Sequence, residues 1–191
     1  EYFVTVPLIS APSSTKARMV RVVATEDNTT LTYDPPQAGA PTTLTNAGDV
    51  ATINATSADF RISSEQKILV SEYMQGQAAG GNKGDPAMTL AVPVEQYRTN
   101  YLIHAPTNYT NNYANITAPM SATITLDGGA IPALTAVGNT GYGVARVALS
   151  NAGDGNHVLE GDVKFGIQVY GYGQYTSYWY PGGLDLTLIP Q

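Results

Sequence analysis

The chain matches itself at an offset of about 94 residues, and no other feature restricts its possible folds as strongly. In the first pair of matching segments, six of twelve aligned residues are identical. In chain order, the pairs are residues 1–12 with 95–106, 21–34 with 114–127, and 67–76 with 164–173. Because the matches keep the same order, we predict an internal duplication, with one copy over residues 1–93 and a second over residues 94–191.

Short runs rich in Val, Ile, Thr and Tyr recur between Gly, Pro, Asn and Asp, which is typical of β-strands separated by turns. In Ala122–Leu126, apolar and polar residues alternate as in a half-buried strand, and Asp127-Gly128 then predicts a tight hairpin turn. The other predicted strands are Met19–Thr25, Thr29–Tyr33, Val50–Asn54, Ile68–Met74, Tyr142–Leu149, His157–Glu160 and Val163–Tyr172. Together these patterns favour an all-β fold of two tandem, internally duplicated antiparallel β-sandwiches, Ig-like or jelly-roll-like. Because no Gly/Ser-rich linker separates the copies, we expect them to pack together.

The overall composition excludes several classes of function. Fifteen acidic and nine basic residues give a net charge of −6, so no basic patch is expected for nucleic acid or for an anionic membrane surface. No apolar run approaches about 18 residues, which argues against insertion into a membrane. The absence of cysteine removes disulfides, thiol catalysis and zinc–thiolate sites. For a large β-protein, this absence favours a bacterial, extracellular or cell-surface setting.

Several phrases of the sequence occur together and in a recognisable order. They are Val22–Leu31, Gly84–Met88, Pro93–Tyr97, Thr125–Gly128, Gly141–Val147 and the long closing run Phe165–Leu186. With these phrases the chain resembles the IgGFc-binding protein N-terminal domain family, as a cysteine-free, bacterial-type member. The resemblance implies a module of a larger secreted or surface protein, named for binding the Fc part of immunoglobulin G, and it supplies no catalytic residues.

The closing run contains the candidate ligand-binding residues. These are Tyr170, Tyr172, Tyr175, Tyr178, Trp179 and Tyr180. An exposed aromatic platform would suit stacking on sugar rings or a hot spot for a protein ligand. The alternative is that these rings cover the second sheet or fill the contact between the two copies. Tandem sandwiches need large residues at such a contact, which favours this alternative.

Evidence for metal binding or catalysis is weak in the sequence. Asp154 and Asn156 lie in a Gly-containing loop that offers oxygen ligands for calcium, but the same loop fits a hairpin turn, which we favour. Neither a Gly-x-Ser-x-Gly nor a His-Glu-x-x-His motif occurs, so we predict no enzyme and no cofactor. Glu72 follows Ile68 and Val70 on one strand face and is expected to be ion-paired or at a strand edge.

Lys67 and Lys164 occupy equivalent strand starts and are candidates for isopeptide crosslinks, which would be a covalent change to the chain. The function that these observations favour is an extracellular adhesion or recognition module that binds a glycan or protein ligand without catalysis. One alternative is a structural spacer or a self-assembling subunit of a surface filament, associating through an edge strand. A second alternative is a carbohydrate-active enzyme with carboxylates paired in space.

Overall fold

The computed structural model describes residues 1–10, 14–80 and 82–186, and the described chain is all-β. Residues 187–191, the end of the predicted second copy, lie outside the described residues. We call residues 1–93 the first half and residues 94–186 the second half.

Strands of the first half are β1 (Tyr2–Val4), β2 (Leu8–Ser10), β3 (Ser14–Thr15), β4 (Arg18–Ala24), β5 (Thr29–Thr30), β6 (Thr32–Asp34), β7 (Thr43–Leu44), β8 (Val50–Thr56), β9 (Phe60–Ser63), β10 (Ile68–Met74) and β11 (Met88–Leu90). Strands of the second half are β12 (Arg98–His104), β13 (Asn111–Pro119), β14 (Ile124–Leu126), β15 (Gly129–Ala130), β16 (Thr135–Ala136), β17 (Tyr142–Leu149), β18 (Asn156–Gly173) and β19 (Thr176–Pro181). Within the described residues, two short 3-10 helices cover Gln77–Gly80 and Val94–Gln96. Neither described helix is long and apolar enough to cross a membrane.

The first half is a sandwich of two antiparallel layers, ordered β1-β9-β6 and β11-β10-β4-β8. Strict alternation in β4, where Val20, Val22 and Ala24 are buried, turns one face of its layer inward. That face packs on Phe60 and Ile62 of the other layer, so apolar burial between the layers stabilises the sandwich.

The second half is built around the 18-residue strand β18, which belongs to both of its layers. The amino-terminal part of β18 pairs with β12 and β14, and its carboxy-terminal part pairs with β13 and β19. The eight-stranded sheet therefore curls over, and its inner faces enclose a core that includes Ile116, Val147, Leu159, Phe165 and Ile167.

The two halves have the same strand order. The layers β12-β18-β14 and β19-β18-β13-β17 of the second half correspond, in chain order and pairing, to β1-β9-β6 and β11-β10-β4-β8 of the first. The first strands of the two halves differ in register from the sequence match. The match of residues 67–76 with 164–173, extended backwards, aligns Phe60 with His157. Val4 pairs with Phe60 and Ile103 pairs with His157, so the strand register aligns Val4 with Ile103, whereas the first sequence match aligns it with Arg98. The shared order supports the predicted duplication, which stays a prediction, as do its boundaries.

The halves meet along a contact that we call the seam. On the outer face of layer β19-β18-β13-β17, one buried cluster joins residues of both halves: Leu8, Ile9, Met74, Tyr113, Tyr170, Tyr172 and Trp179. A second, smaller cluster joins Phe3 to Val137 and Val144. The first half thus covers much of a sheet face of the second.

Candidate functional site

The predicted aromatic residues separate into two groups. Tyr170, Tyr172 and Trp179 lie in the seam, with exposed fractions of 0%, 1% and 6%. The Tyr170 hydroxyl donates to the Asn115 side chain at 2.7 Å and accepts from the Leu8 amide at 2.9 Å. With both faces packed, these three rings offer no surface to a ligand and instead join the halves.

The remaining candidates lie nearer the surface. Tyr178 and Tyr180 are half-buried and stack with ring centroids 6.0 Å apart, and Tyr109 meets Tyr178 edge-on at 4.9 Å. We call these three rings the tyrosine ladder. Their hydroxyls are engaged, since Tyr178 donates to Asn112 at 2.7 Å and Tyr180 donates to the His104 carbonyl at 2.8 Å. Burial raises the pKa of the Tyr178 and Tyr180 hydroxyls, which favours their neutral form.

Tyr175 stands apart from the ladder. It is 65% exposed and occupies the turn between β18 and β19 with a φ of 54°. The six predicted residues therefore do not form one exposed platform in this structure.

A buried polar network crosses the seam. Arg18 Nε lies 2.7 Å from Glu72 Oε2, and both side chains are fully buried. Gln168 of the second half donates to Glu72 Oε1 at 2.5 Å. Burial raises the pKa of Glu72, against the opposing effects of the Arg18 charge and the Gln168 hydrogen bond. With its oxygens held in this way, Glu72 has no path to solvent, and the expected ion pair is present.

A second set of polar contacts fixes the chain between β1 and β2. The Val6 carbonyl accepts from Asn115 Nδ2 at 3.0 Å and from Arg146 Nε at 2.9 Å. Arg146 Nη2 also donates to Asp59 Oδ2 at 2.7 Å. Because one guanidinium holds both a backbone carbonyl and a carboxylate of the first half, Arg146 fixes the relative position of the halves.

Beside Arg146 lies an open groove of about 470 Å³, which we call the β17 groove. Its lining is Leu8, Leu126, Gly129, Ala130, Ile131, Pro132, Arg146, Val147 and Ala148. A second hollow of about 260 Å³ adjoins it, and Leu8, Pro132 and Arg146 line both. The described lining is mostly apolar, and the charge of its one charged side chain, Arg146, is balanced by Asp59.

One wall of the groove is the free edge of a sheet. On that side of β17, β16 pairs only with Gly143 and Val144. The Tyr142 carbonyl accepts from the Val137 amide on the same side, so alternation directs the backbone groups of Arg146 and Ala148 toward the groove. Among the described residues, no strand pairs with β17 there. Ala148 is exposed at this edge.

His157 and Asp127 form a pair that resembles part of a catalytic triad in its contacts. His157 Nδ1 lies 2.7 Å from Asp127 Oδ2, and Nε2 lies 3.1 Å from the Ser150 carbonyl oxygen. A carbonyl cannot act as a nucleophile, and both ring nitrogens are engaged with oxygens. The pair therefore joins the turn after β14 to β18 and to the end of β17.

The calcium candidates Asp154 and Asn156 brace a turn. Asp154 Oδ1 accepts from the Asn156 amide at 3.0 Å, and Oδ2 accepts from the Asn156 side chain at 2.8 Å. Over the described ranges, no three His, Asp or Glu side chains group as they would around a metal ion. The hairpin-turn interpretation accounts for the geometry of this loop, and calcium binding remains untested.

The crosslink candidates are at the surface. Lys164 Nζ lies 2.8 Å from Asp185 Oδ2, and both side chains are more than half exposed. The hydrogen bond and the charge of Lys164 lower the pKa of Asp185, which favours an ion pair over the neutral carboxylic acid that amide formation requires. Lys67 lies at the rim of a hollow near Glu95.

Sequence reasoning missed the β17 groove. Its rim is the segment Gly129–Pro132, which follows the predicted Asp127-Gly128 turn and carries the half-exposed Ile131. The available signal for the groove was the apolar pair Ile131-Pro132 close to a predicted hairpin turn. Nothing in the sequence indicates the role of Arg146, because its partners Val6 and Asp59 are distant in the chain.

Comparison with known proteins gives one result. The family model described as IgGFc binding protein matches residues 1–171, which is most of the chain. Neither the curated proteins nor the solved structures compared with it provide a match. The matched range covers the β17 groove and the seam residues up to Tyr170, and on this match the chain belongs to the IgGFc binding protein family.

Proposed function

We propose that this chain is a non-catalytic recognition module of a secreted or surface protein, and that it binds an extended segment of a protein ligand in the β17 groove. The observation that carries the proposal is the free backbone edge of β17 along an apolar groove lined by both halves. Membership of a family named for binding an immunoglobulin fragment supports recognition rather than catalysis.

The backbone of β17 supplies the affinity that an extended ligand needs. Arg146 and Ala148 direct their amide and carbonyl groups into the groove, so an added strand would continue the sheet by main-chain hydrogen bonds. This mode tolerates many ligand sequences, because the backbone contacts do not depend on side chains.

The lining of the groove would supply selectivity. Leu126, Ile131 and Val147 offer apolar contacts, while the Arg146 charge is held by Asp59. We therefore expect the preferred segment to be apolar at alternate positions and to lack an acidic residue at the centre. The volume of about 470 Å³ accommodates two or three side chains.

A glycan is the second candidate ligand, and the tyrosine ladder favours it. Tyr109, Tyr178 and Tyr180 are half-buried rings in one row, a geometry in which sugar rings could stack on the exposed parts. The ladder lies on β19 and the loop before β13, not in the β17 groove, so substitutions separate the two sites.

The test is a binding screen of the whole chain against the IgG Fc fragment, a display library of linear peptides and a glycan array. Ala148→Pro removes the amide that faces the groove but no hydrogen bond to β13, and it should reduce peptide or Fc binding at least about tenfold. Ala148→Val keeps the amide and serves as the matched control. Tyr109→Ala tests the ladder.

The two sites predict opposite patterns. Binding that Ala148→Pro loses and both Ala148→Val and Tyr109→Ala retain would support the groove. Glycan binding that Tyr109→Ala loses and Ala148→Pro retains would move the site to the ladder. If no linear peptide or Fc fragment distinguishes the unmodified chain from Ala148→Pro, strand addition at β17 is wrong.

A further inference from the structure

The first half carries an apolar sheet face that nothing in the described chain covers. On the outer side of layer β11-β10-β4-β8, four large apolar side chains are between 42% and 51% exposed: Val50, Leu69, Met88 and Leu90. Their cross-strand partners show that they share one face, since Leu69 and Val50 both pair with Val23. Leu90 pairs with Ser71, and Met88 with Tyr73, on the same face of β10. We call this the open face.

The corresponding face of the second half is covered. In layer β19-β18-β13-β17, Gln168 and Tyr170 occupy the positions that Ser71 and Tyr73 occupy in the first half. Gln168 is 7% exposed and Tyr170 is fully buried, because the first half packs on them. The fold therefore contains one covered and one uncovered example of the same surface.

The covering segment has a sequence counterpart that is exposed. Thr5, Val6 and Leu8 cover the face of the second half and are at most 3% exposed. At the offset of the sequence match, which differs from the strand register, their counterparts are Thr99, Asn100 and Leu102 on β12, all exposed. Leu102 is 74% exposed, the highest fraction of any large apolar side chain described.

The surface around Leu102 and the open face carry charges of opposite sign. Next to Leu102, the outer face of β12 and β18 carries Val158, 43% exposed, and the exposed Glu160, which pairs with Asn100. At the centre of the open face, the exposed Arg21 lies over the Tyr73 ring at 5.3 Å. One surface is thus an apolar patch with an acid, and the other is an apolar patch with a base, which are complementary in charge. We call the β12–β18 surface around Leu102 the Leu102 patch.

We infer that copies of this chain associate head to tail, with the Leu102 patch of one molecule on the open face of the next. Two different surfaces meet in such a contact, so an open assembly keeps one free surface of each kind at its ends and can extend or close into a ring. The inference is independent of the β17 groove, because neither Leu102 nor Leu90 lines it.

The test measures molar mass against concentration by light scattering or sedimentation. The unmodified chain should exceed its monomer mass of 20.1 kDa increasingly as concentration rises. Leu90→Asp and Leu102→Asp each remove one surface and should weaken self-association at least about tenfold. Met120→Asp changes a side chain that is 46% exposed and on neither surface, and it should behave as the unmodified chain. Far-ultraviolet circular dichroism confirms that each variant is folded.

Mixing the two variants identifies the kind of contact. Leu90→Asp retains the Leu102 patch and Leu102→Asp retains the open face, so the mixture should form a one-to-one complex of twice 20.1 kDa and no larger species. A contact of the open face with itself would leave the mixture no heavier than Leu102→Asp alone. That result, or an unmodified chain that stays monomeric at high concentration, would overturn the inference.

Discussion

At the residue scale, the seam depends on ionised and polar side chains without access to water. Glu72 could be located on an inward strand face from its sequence neighbours, but its partners could not. Arg18 is 54 residues away and Gln168 is 96 residues away, so only the folded chain brings them together. The Arg18 guanidinium also donates to the Thr56 and Ala58 carbonyls, and these hydrogen bonds compensate part of the hydration that the buried pair has lost.

We expect Glu72→Ala to lower the free energy of unfolding by about 3–5 kcal/mol, because it leaves the Arg18 charge buried without a counter-ion. Urea denaturation followed by far-ultraviolet circular dichroism measures the change. The double variant Arg18→Met, Glu72→Met removes both charges and should be less destabilised than Glu72→Ala. A loss below about 1 kcal/mol in Glu72→Ala would mean that the pair is solvated and not buried.

At the scale of elements, sequence periodicity predicted the positions of the strands well, but it did not predict what packs against their faces. The predicted bounds of β10 and β17 are those observed, and Asp127-Gly128 forms the expected turn, with φ values of 52° and 77°. By contrast, β18 was predicted as two strands, because the exposed residues between Glu160 and Lys164 have the polarity of a turn. In the structure they carry the same strand from one layer to the other.

The aromatic residues of β18 show why site prediction went only part of the way. Alternation correctly assigned Phe165, Ile167 and Val169 to one face, which is the core of the second half. It also assigned Tyr170 and Tyr172 to the opposite face. Alternation distinguishes faces but does not state what lies against them, and here a distant part of the chain covers the second face.

The link between the β14–β15 turn and β18 should depend on pH through Asp127. Burial alone would raise its pKa, but hydrogen bonds from His157 and the Val158 amide lower it below the ordinary value of 3.8. A carboxyl with a lower pKa in the folded state stabilises the fold above pH 3.8, and this contribution is lost as pH falls through the folded pKa.

Asp127→Asn tests this dependence and keeps a residue type that tolerates the positive φ. Because Asp127 is half exposed, we expect the variant to be less stable at pH 7 by under about 1 kcal/mol. The difference in the urea midpoint should shrink toward zero near pH 2. A difference that is constant from pH 7 to pH 2 would show that the Asp127 charge contributes nothing to stability.

At the scale of the whole molecule, the seam makes two sandwiches into one folding unit. Arg146 binds both a carbonyl and a carboxylate of the first half, and Glu72 of the first half accepts from Gln168 of the second. Separating the halves would expose these groups together with Leu8, Met74 and the seam aromatics. The missing linker predicts close packing of the halves, but only the structure shows the polar character of their contact.

We therefore expect the chain to unfold in a single cooperative transition. Trp179 is the only tryptophan and lies in the seam, so its fluorescence reports separation of the halves, while far-ultraviolet circular dichroism reports the strands of both. The two signals should change at the same denaturant concentration, with equal calorimetric and van't Hoff enthalpies. Arg146→Ala breaks the contacts with Val6 and Asp59 and should lower both midpoints together. A Trp179 transition that precedes the loss of circular dichroism would instead indicate halves that separate while folded, and the groove they share would then open before either sandwich melts.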